Sequence, residues 1–232
     1  MNNNQLTNTI MMIRPFNFTY NIETALDNAY QKTNQKTPFF NVAKKAQIEF
    51  DNFLNILQES GIQVIRFEDD GSLNTPDSLF PNNWISTHSN GSICLYPMFA
   101  PNRRLERRDD ILNYLKTNYK VKDVIYDFLE HESTGHFLEG TGSMVLDRQN
   151  KIAYACMSKR TRKHLFEEWC EVMGYQSFAF SAHDAGREIY HTNVLMSVSS
   201  QIVFICLEAI SSHKEKENLL RSFSLTNKSI ID

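Results

Sequence analysis

His191 sits in the apolar segment Ile189-Tyr190-His191-Thr192-Asn193-Val194-Leu195-Met196, and Glu139 opens the glycine turn Glu139-Gly140-Thr141-Gly142-Ser143. An imidazole takes a proton from an attacking group and returns it to a leaving amine near neutral pH. A carboxylate at the mouth of a strand holds a substrate nitrogen and stabilises positive charge as it develops. Together they form the acid–base half of a covalent catalytic site. The other half is normally a reactive cysteine, and none is evident. Strand alternation places His191, Asn193 and Leu195 on one face. Plainer readings stay open: a hydrogen-bonded structural histidine, and a turn acid facing solvent. His183 with Asp184, in the preceding loop, is a weaker candidate for the same chemistry.

The run Thr75-Pro76-Asp77-Ser78-Leu79-Phe80-Pro81-Asn82-Asn83-Trp84 is a loop fixed by two prolines. Asp77 can accept a charge-assisted hydrogen bond from a guanidinium or ureido nitrogen. Asn82 and Asn83 can bind a polar substrate, and Trp84 can wall its pocket. An ordinary turn with Asx bonding fits the same residues. The basic cluster Arg103, Arg104, Arg107 and Arg108 runs into Asp109 and Asp110. It reads as a solvated helix start or as a dock for a small anion. His131, Glu132 and His136 lack the helical H-E-x-x-H spacing, and Thr134-Gly135 argues against a helix there, so no metal is expected. Cys94, Cys156, Cys170 and Cys206 match no metal or redox motif. Three of them, Cys94, Cys156 and Cys206, lie in strand-like apolar runs and read as buried structural thiols.

These candidates need a scaffold, and 232 residues with 41% apolar content are enough for a sizeable core. The net charge of -3 gives no general attraction to nucleic acid or an anionic membrane. No apolar run is long enough to span a bilayer, and the polar start resembles no signal peptide. A cytoplasmic protein is the simplest expectation. Residues 1–10 read as a disordered tail and 11–232 as a single domain.

Val42, Ala46, Phe50, Phe53 and Leu57 recur at helical spacing after a cap at Asn41, and Gly61 ends that helix. A strand follows over 62–67. Trp84–His88 and Ser92–Tyr96 flank Asn90-Gly91 as a hairpin. A helix is expected over 105–115, a strand over 121–126, and a second hairpin over 143–147 and 153–157. A helix over 161–173 closes at Gly174. Strands over 176–180, 189–197 and 202–207 follow, with a final helix over 212–222. The order of helix, strand and hairpin recurs about every sixty residues, which suggests repeated α/β units on a common axis. A doubly wound sheet would offer a glycine-rich loop after its first strand, and none is present.

The chain resembles the guanidino-group-modifying pentein superfamily of arginine deiminases, dimethylarginine dimethylaminohydrolases and amidinotransferases. Within it, the nearest branch contains the citrulline-utilisation, amidinotransferase-related hydrolases. The likeness rests on Arg14 to Phe18, Asn21, Asn28 to Gln31, Thr75 to Trp84, Pro101 to Arg108, Leu138 to Ser143 and His191 to Val194. It implies a five-bladed α/β propeller of the pentein type, C-terminally incomplete. It also implies covalent cysteine chemistry on citrulline, arginine or methylated arginine. On that pattern His191 is the acid–base residue, and Glu139 binds the substrate nitrogens. Asp77 binds substrate, one of Arg103 and Arg104 holds the substrate carboxylate, with Arg103 preferred, and Asn82, Asn83, Trp84 and Asn193 line the cavity. No metal or organic cofactor is implied. The expected partner is a small guanidino or ureido amino acid, with no nucleic acid and no membrane, and a homo-oligomer stays open. The family's cysteine lies in a terminal segment that nothing here matches, since Arg221 to Asp232 holds neither cysteine nor glycine. A catalytically inactive binding protein and a truncated, non-functional fragment are therefore alternatives to an active hydrolase. An amidinotransferase is a further reading, because no residue selects water over an amine acceptor.

Overall fold

One local design recurs: an antiparallel hairpin, a helix, and a third strand laid parallel to the second. It is built first from β3 (Ile85–Thr87), β4 (Ile93–Leu95), α2 (Pro101–Arg104), α3 (Asp109–Asn118) and β5 (Ile125–Asp127). It recurs after α4 (Gly140–Ser143) as β6 (Met144–Asp147), β7 (Ile152–Cys156), α5 (Lys163–Met173) and β8 (Gln176–Phe180). A third copy holds β11 (Met196–Val198), β12 (Ile202–Ile205), α6 (His213–Leu225) and β13 (Ser229–Ile231). In each copy the first two strands pair antiparallel and the last two parallel. The helix between them forces the parallel pairing, because a parallel neighbour needs a crossover. Ahead of these copies, β1 (Thr9–Arg14) and β2 (Gln63–Glu68) pair in parallel across α1 (Phe39–Glu59). A small ribbon, β9 (His183–Asp184) with β10 (Arg187–Glu188), links the third and fourth units.

The computed structural model describes residues 5–25, 27, 28, 30, 31, 39–119, 121 and 125–232. Residues 1–4 of the expected tail lie outside them. Gln5 donates to the carbonyls of Leu146 and Val198 and accepts from the Arg148 amide, and β1 begins at Thr9. Much of the strand expected over 121–126 also lies outside the described residues.

The expected five-bladed α/β propeller is not what forms. The strands divide among five small, open sheets of two or three strands, three of them mixed, and none closes on itself. The ladders end at edge strands, and neighbouring sheets meet through side chains. The strand expected over 189–197 is also corrected. Thr192–Val194 make a 3-10 turn, and pairing starts only at Met196. His191 and Thr192 are both buried while Asn193 is exposed, so strand alternation fails there. Helix α1 starts at Phe39, ahead of the expected cap at Asn41. The helix expected over 105–115 starts at Asp109 instead, where two acids complement its N-terminus. Gly174 ends α5 in the left-handed conformation, as its position suggested.

The core follows from the repeat. Helices α3, α5 and α6 each pack against the sheet of the unit before them. Ile111 and Leu115 of α3 join Ile13 and Phe67, Trp169 and Cys170 of α5 join Cys94 and Tyr96, and Leu219 and Phe223 of α6 join Tyr154 and Phe180. No helix is long and apolar enough to cross a membrane among the described residues. One ion pair crosses the last of these seams. Lys228 Nζ lies 3.2 Å from Asp147 Oδ2, with both side chains fully buried, and it donates to the carbonyls of Ser199 and Ser200. Removing the ammonium strands a buried carboxylate. Lys228→Ala should therefore cost about 3–5 kcal/mol of stability in urea unfolding, and a loss under 1 kcal/mol would contradict this reading of the pair.

Candidate active site

Phe80, Glu139 and His191 stand at the same place in successive units, five residues before Ile85, Met144 and Met196. Each caps a short turn that feeds the first strand: 81–83, 140–143 and 192–194. The three turns meet because the middle one carries glycines. Gly140 has φ +45°, and a Cβ there would lie 2.2 Å from the Asn82 carbonyl oxygen. A Cβ on Gly142 would lie 2.2 Å from Asn83 Nδ2 and 2.7 Å from His191 Nδ1. Both distances are shorter than any real contact, so only glycine allows this approach.

At the junction His191 Nε2 lies 2.7 Å from Glu139 Oε2. Glu139 is fully buried and His191 nearly so. The second Glu139 oxygen accepts from the Phe99 amide at 2.9 Å. Burial alone would push the Glu139 carboxyl up, but the His191 hydrogen bond and the Arg160 and Arg103 charges hold it down at about 2. Burial lowers the His191 pKa, and the bond to Glu139 only partly offsets it. A neutral ring beside an ionised carboxylate must place its hydrogen on Nε2. Nδ1 is then the free base.

The cavity at this junction encloses about 220 Å³, and Asp77, Asn83, Arg103, Arg160, Tyr190 and His191 contribute to its lining. Arg160 Nη1 is 3.6 Å from Glu139 Oε2, and its guanidinium stacks 4.6 Å over the Tyr190 ring. Its Nε and Nη2 bond Asp27. Arg103 is forked onto Glu106 at 2.9 Å through both Nε and Nη2, and its Nη1 donates to Asn83 Oδ1 at 2.8 Å. Burial works against the Arg103 charge, and the buried Glu106 more than offsets it. Asp77 Oδ2 accepts from Asn21 Nδ2 at 2.7 Å and lies 3.9 Å from Arg103 Nε.

A family model described as N,N dimethylarginine dimethylhydrolase, eukaryotic, matches residues 14–232. The chain belongs to that family. It is a pentein family of hydrolases that modify guanidino or ureido amino acids. Among solved structures, the chain is similar to the substrate-bound N-terminal domain of ArgZ, an arginine dihydrolase of cyanobacteria. The TM-score is 0.71 at 13% identity, covering 97% of this chain and 75% of that one. It spans 30% of the longer apo ArgZ chain, with a TM-score of 0.62 at 12% identity. Dimethylarginine dimethylaminohydrolase (DDAH) from Pseudomonas aeruginosa, complexed with citrulline, matches with a TM-score of 0.63 at 14% identity, over 97% of this chain and 76% of that one. At these identities the structural likeness establishes the fold. No curated protein matches.

Within this dimethylhydrolase-family fold, Asp77, Asn82, Asn83, Arg103, Glu139, His191 and Asn193 all gather at the junction of the turns. Trp84 does not. It is fully buried in the core with Ile13 and Ile111, and its indole N–H lacks a partner among the described residues. Arg160, Thr24 and Tyr190 join the cavity without having been singled out. Arg160 sits among ordinary basic residues in Lys159-Arg160-Thr161-Arg162-Lys163, where no spacing marks it. Glu132 of the His131–His136 run is taken up by Arg107 and the Met98 amide. Among the described residues, no three His, Cys, Asp or Glu side chains are grouped as a metal ion requires. No cysteine lines this cavity. Burial pushes the Cys94 thiol up to about 11 and those of Cys156 and Cys170 up to about 12, so these three are inert. Cys206, expected to be buried, is exposed just beyond the end of β12.

Glu139 titrates lower in the fold than in the unfolded chain, so its stabilisation is complete above about pH 4.5 and drains away as the pH falls towards 2. The depressed His191 acts in the same direction from its ordinary 6.5 downwards, because the unfolded chain takes up that proton first. Glu139→Gln should therefore flatten the acid limb of a stability–pH curve by on the order of 3 kcal/mol. An acid limb identical to that of the parent protein would sink the assignment.

Proposed function

We propose that this chain supplies the substrate pocket and acid–base machinery of a hydrolase acting on a carbon–nitrogen bond of citrulline, arginine or a methylated arginine. The observation that carries this reading is the buried Glu139–His191 pair, whose histidine lines a small cavity that the Asp77 carboxylate also lines. A carboxylate on the cavity wall suits the planar N–H fork of a guanidinium, and its hydrogen bonds to it are charge-assisted. Asn82, Asn83 and Asn193 add neutral donors and acceptors for a ureido oxygen. Arg103 is already committed to Glu106, and we assign it the role of fixing Asn83. Arg160 is paired with the less buried Asp27, the partner an incoming substrate carboxylate can exchange with more readily.

In the family reaction the histidine first takes the proton of a thiol, and the thiolate attacks the guanidinium or ureido carbon. The tetrahedral adduct collapses and expels an amine, which takes that proton from His191. Water, deprotonated by His191, then adds to the thiol-bound carbon, and that adduct releases the product and a thiolate that the proton on His191 neutralises. A histidine with Nε2 held by Glu139 and Nδ1 free suits these proton transfers. No thiol lines the described cavity, so the activity assigned to this polypeptide by itself is binding without turnover.

Calorimetric titration with arginine, citrulline and asymmetric dimethylarginine, run beside an assay for released ammonia and dimethylamine, separates the outcomes. At least one ligand should bind, Asp77→Ala should weaken it by roughly tenfold or more, and no amine should be released. Amine release abolished by His191→Ala would show turnover and overturn the binding-only account. Failure of all three ligands to bind would overturn the pocket.

A further inference from the structure

Two cations line the active-site cavity, and they are neutralised differently. Arg103 is forked onto Glu106, three positions along the chain, and that carboxylate is fully buried. Arg160 is 2% exposed, but its carboxylate, Asp27, is 15% exposed. Asp27 comes from the stretch 15–31, whose described residues form neither helix nor strand. It accepts from Arg160 Nε at 3.0 Å and from Nη2, and the Thr24 carbonyl accepts from Nη2 at 3.2 Å. A carboxylate of the chain itself therefore fills the seat that a guanidinium on the cavity wall offers to the carboxylate of an amino acid.

One end of this stretch is fixed and the other is looser. Asn21 is 1% exposed, donates to Asp77 at 2.7 Å and accepts from Asn102 at 2.8 Å. Asp27, six positions on, also lines a second hollow of about 480 Å³. Tyr190 lines both spaces, with Arg160 stacked 4.6 Å over its ring. The other charged residues on the second hollow are Lys159, Arg187 and Glu188, which leaves one positive charge in excess. Lys159 and Arg187 are exposed and, among the described residues, enter no ion pair. A displaced Asp27 carboxylate thus has a cationic surface to move to. Arg160, by contrast, is too deeply buried to go unpaired, because stripping one partner from a buried ion pair is strongly unfavourable. Asp27 can leave only when another carboxylate takes its place.

We propose that Asp27 makes the cavity selective for ligands that bring their own carboxylate. It holds the seat on Arg160 in the free protein, yields it to the α-carboxylate of an amino acid, and swings to Lys159 and Arg187. A ligand without a carboxylate leaves Asp27 in place and loses the Arg160 contact. This inference rests on the guanidino or ureido amino-acid reading of the cavity.

Calorimetric titration of the full chain tests it, with arginine and citrulline each run beside its decarboxylated counterpart, agmatine and N-carbamoylputrescine. Asp27→Asn removes the competing charge, so it should tighten the amino acids by roughly tenfold and leave the decarboxylated pair unmoved. Lys159→Ala and Arg187→Ala should each weaken the amino acids when Asp27 is present and have no effect beside Asp27→Asn, where no displaced charge needs a home. The idea fails if Asp27→Asn binds the amino acids no better than the parent, or tightens both ligand classes alike. It fails too if the Lys159 and Arg187 variants act equally in both backgrounds, which would make these residues direct ligand contacts. Should Asp27→Asn not fold, unchanged amino-acid affinity in Lys159→Ala and Arg187→Ala overturns the proposal. If none of the four compounds binds the parent or any variant, the substrate reading falls and takes this proposal with it. Binding that ignores Asp27 removes this proposal alone.

Discussion

The site depends on a steric constraint before it depends on any charge. The turn after Glu139 must pass close enough to the 81–83 turn and to His191 that a single methyl group at Gly142 would overlap both. That approach sets the 2.7 Å separation between Glu139 and His191. Everything electrostatic follows from it. A carboxylate at zero exposure survives as an anion because a ring N–H, a backbone amide and nearby guanidinium groups surround it. In turn, the anion fixes the tautomer of His191 and leaves Nδ1 as the base.

The surrounding guanidinium groups form a second tier. Arg103 and Arg160 are both buried, and each is neutralised by a carboxylate from its own side of the cavity, Glu106 for one and Asp27 for the other. Buried pairs of this kind add little net stability, but breaking one is costly, so they fix geometry more than they add free energy. Their effect is to hold Asn83 and Glu139 in place from opposite sides. The buried guanidinium groups and Glu139 are satisfied by one another, while His191 Nδ1 stays free.

Repetition explains why the turns meet at all. Three units place a capping residue five positions before their first strand, and packing each helix on the preceding sheet brings successive caps together.

Much of this was legible in the residues. Hairpin turns, the helix stop at Gly174 and the recurrence of helix, strand and hairpin are local signals, and local signals survive in a sequence. Glu139 and His191 stood out because acid and imidazole are scarce beside strands. What the sequence could not reveal is long-range. The sheets stay open and separate because strand closure is decided by how units stack, which no local pattern encodes. Trp84 looked like a pocket wall and went into the core, since a large apolar surface gains more from full burial than from lining a wet cavity. The chain from 189 to 197 alternates like a strand, yet Thr192 turns inward to bond the Cys156 amide, and its neighbours bend into a 3-10 turn. Arg160 was invisible because its role is created by Asp27, Glu139 and Tyr190, residues distant in the chain. By itself the sequence determined which chemical groups were available and where turns must fall. Tertiary packing decided which of those groups met, because a distance of 2.7 Å between residues fifty-two positions apart is a property of stacked units and not of any segment.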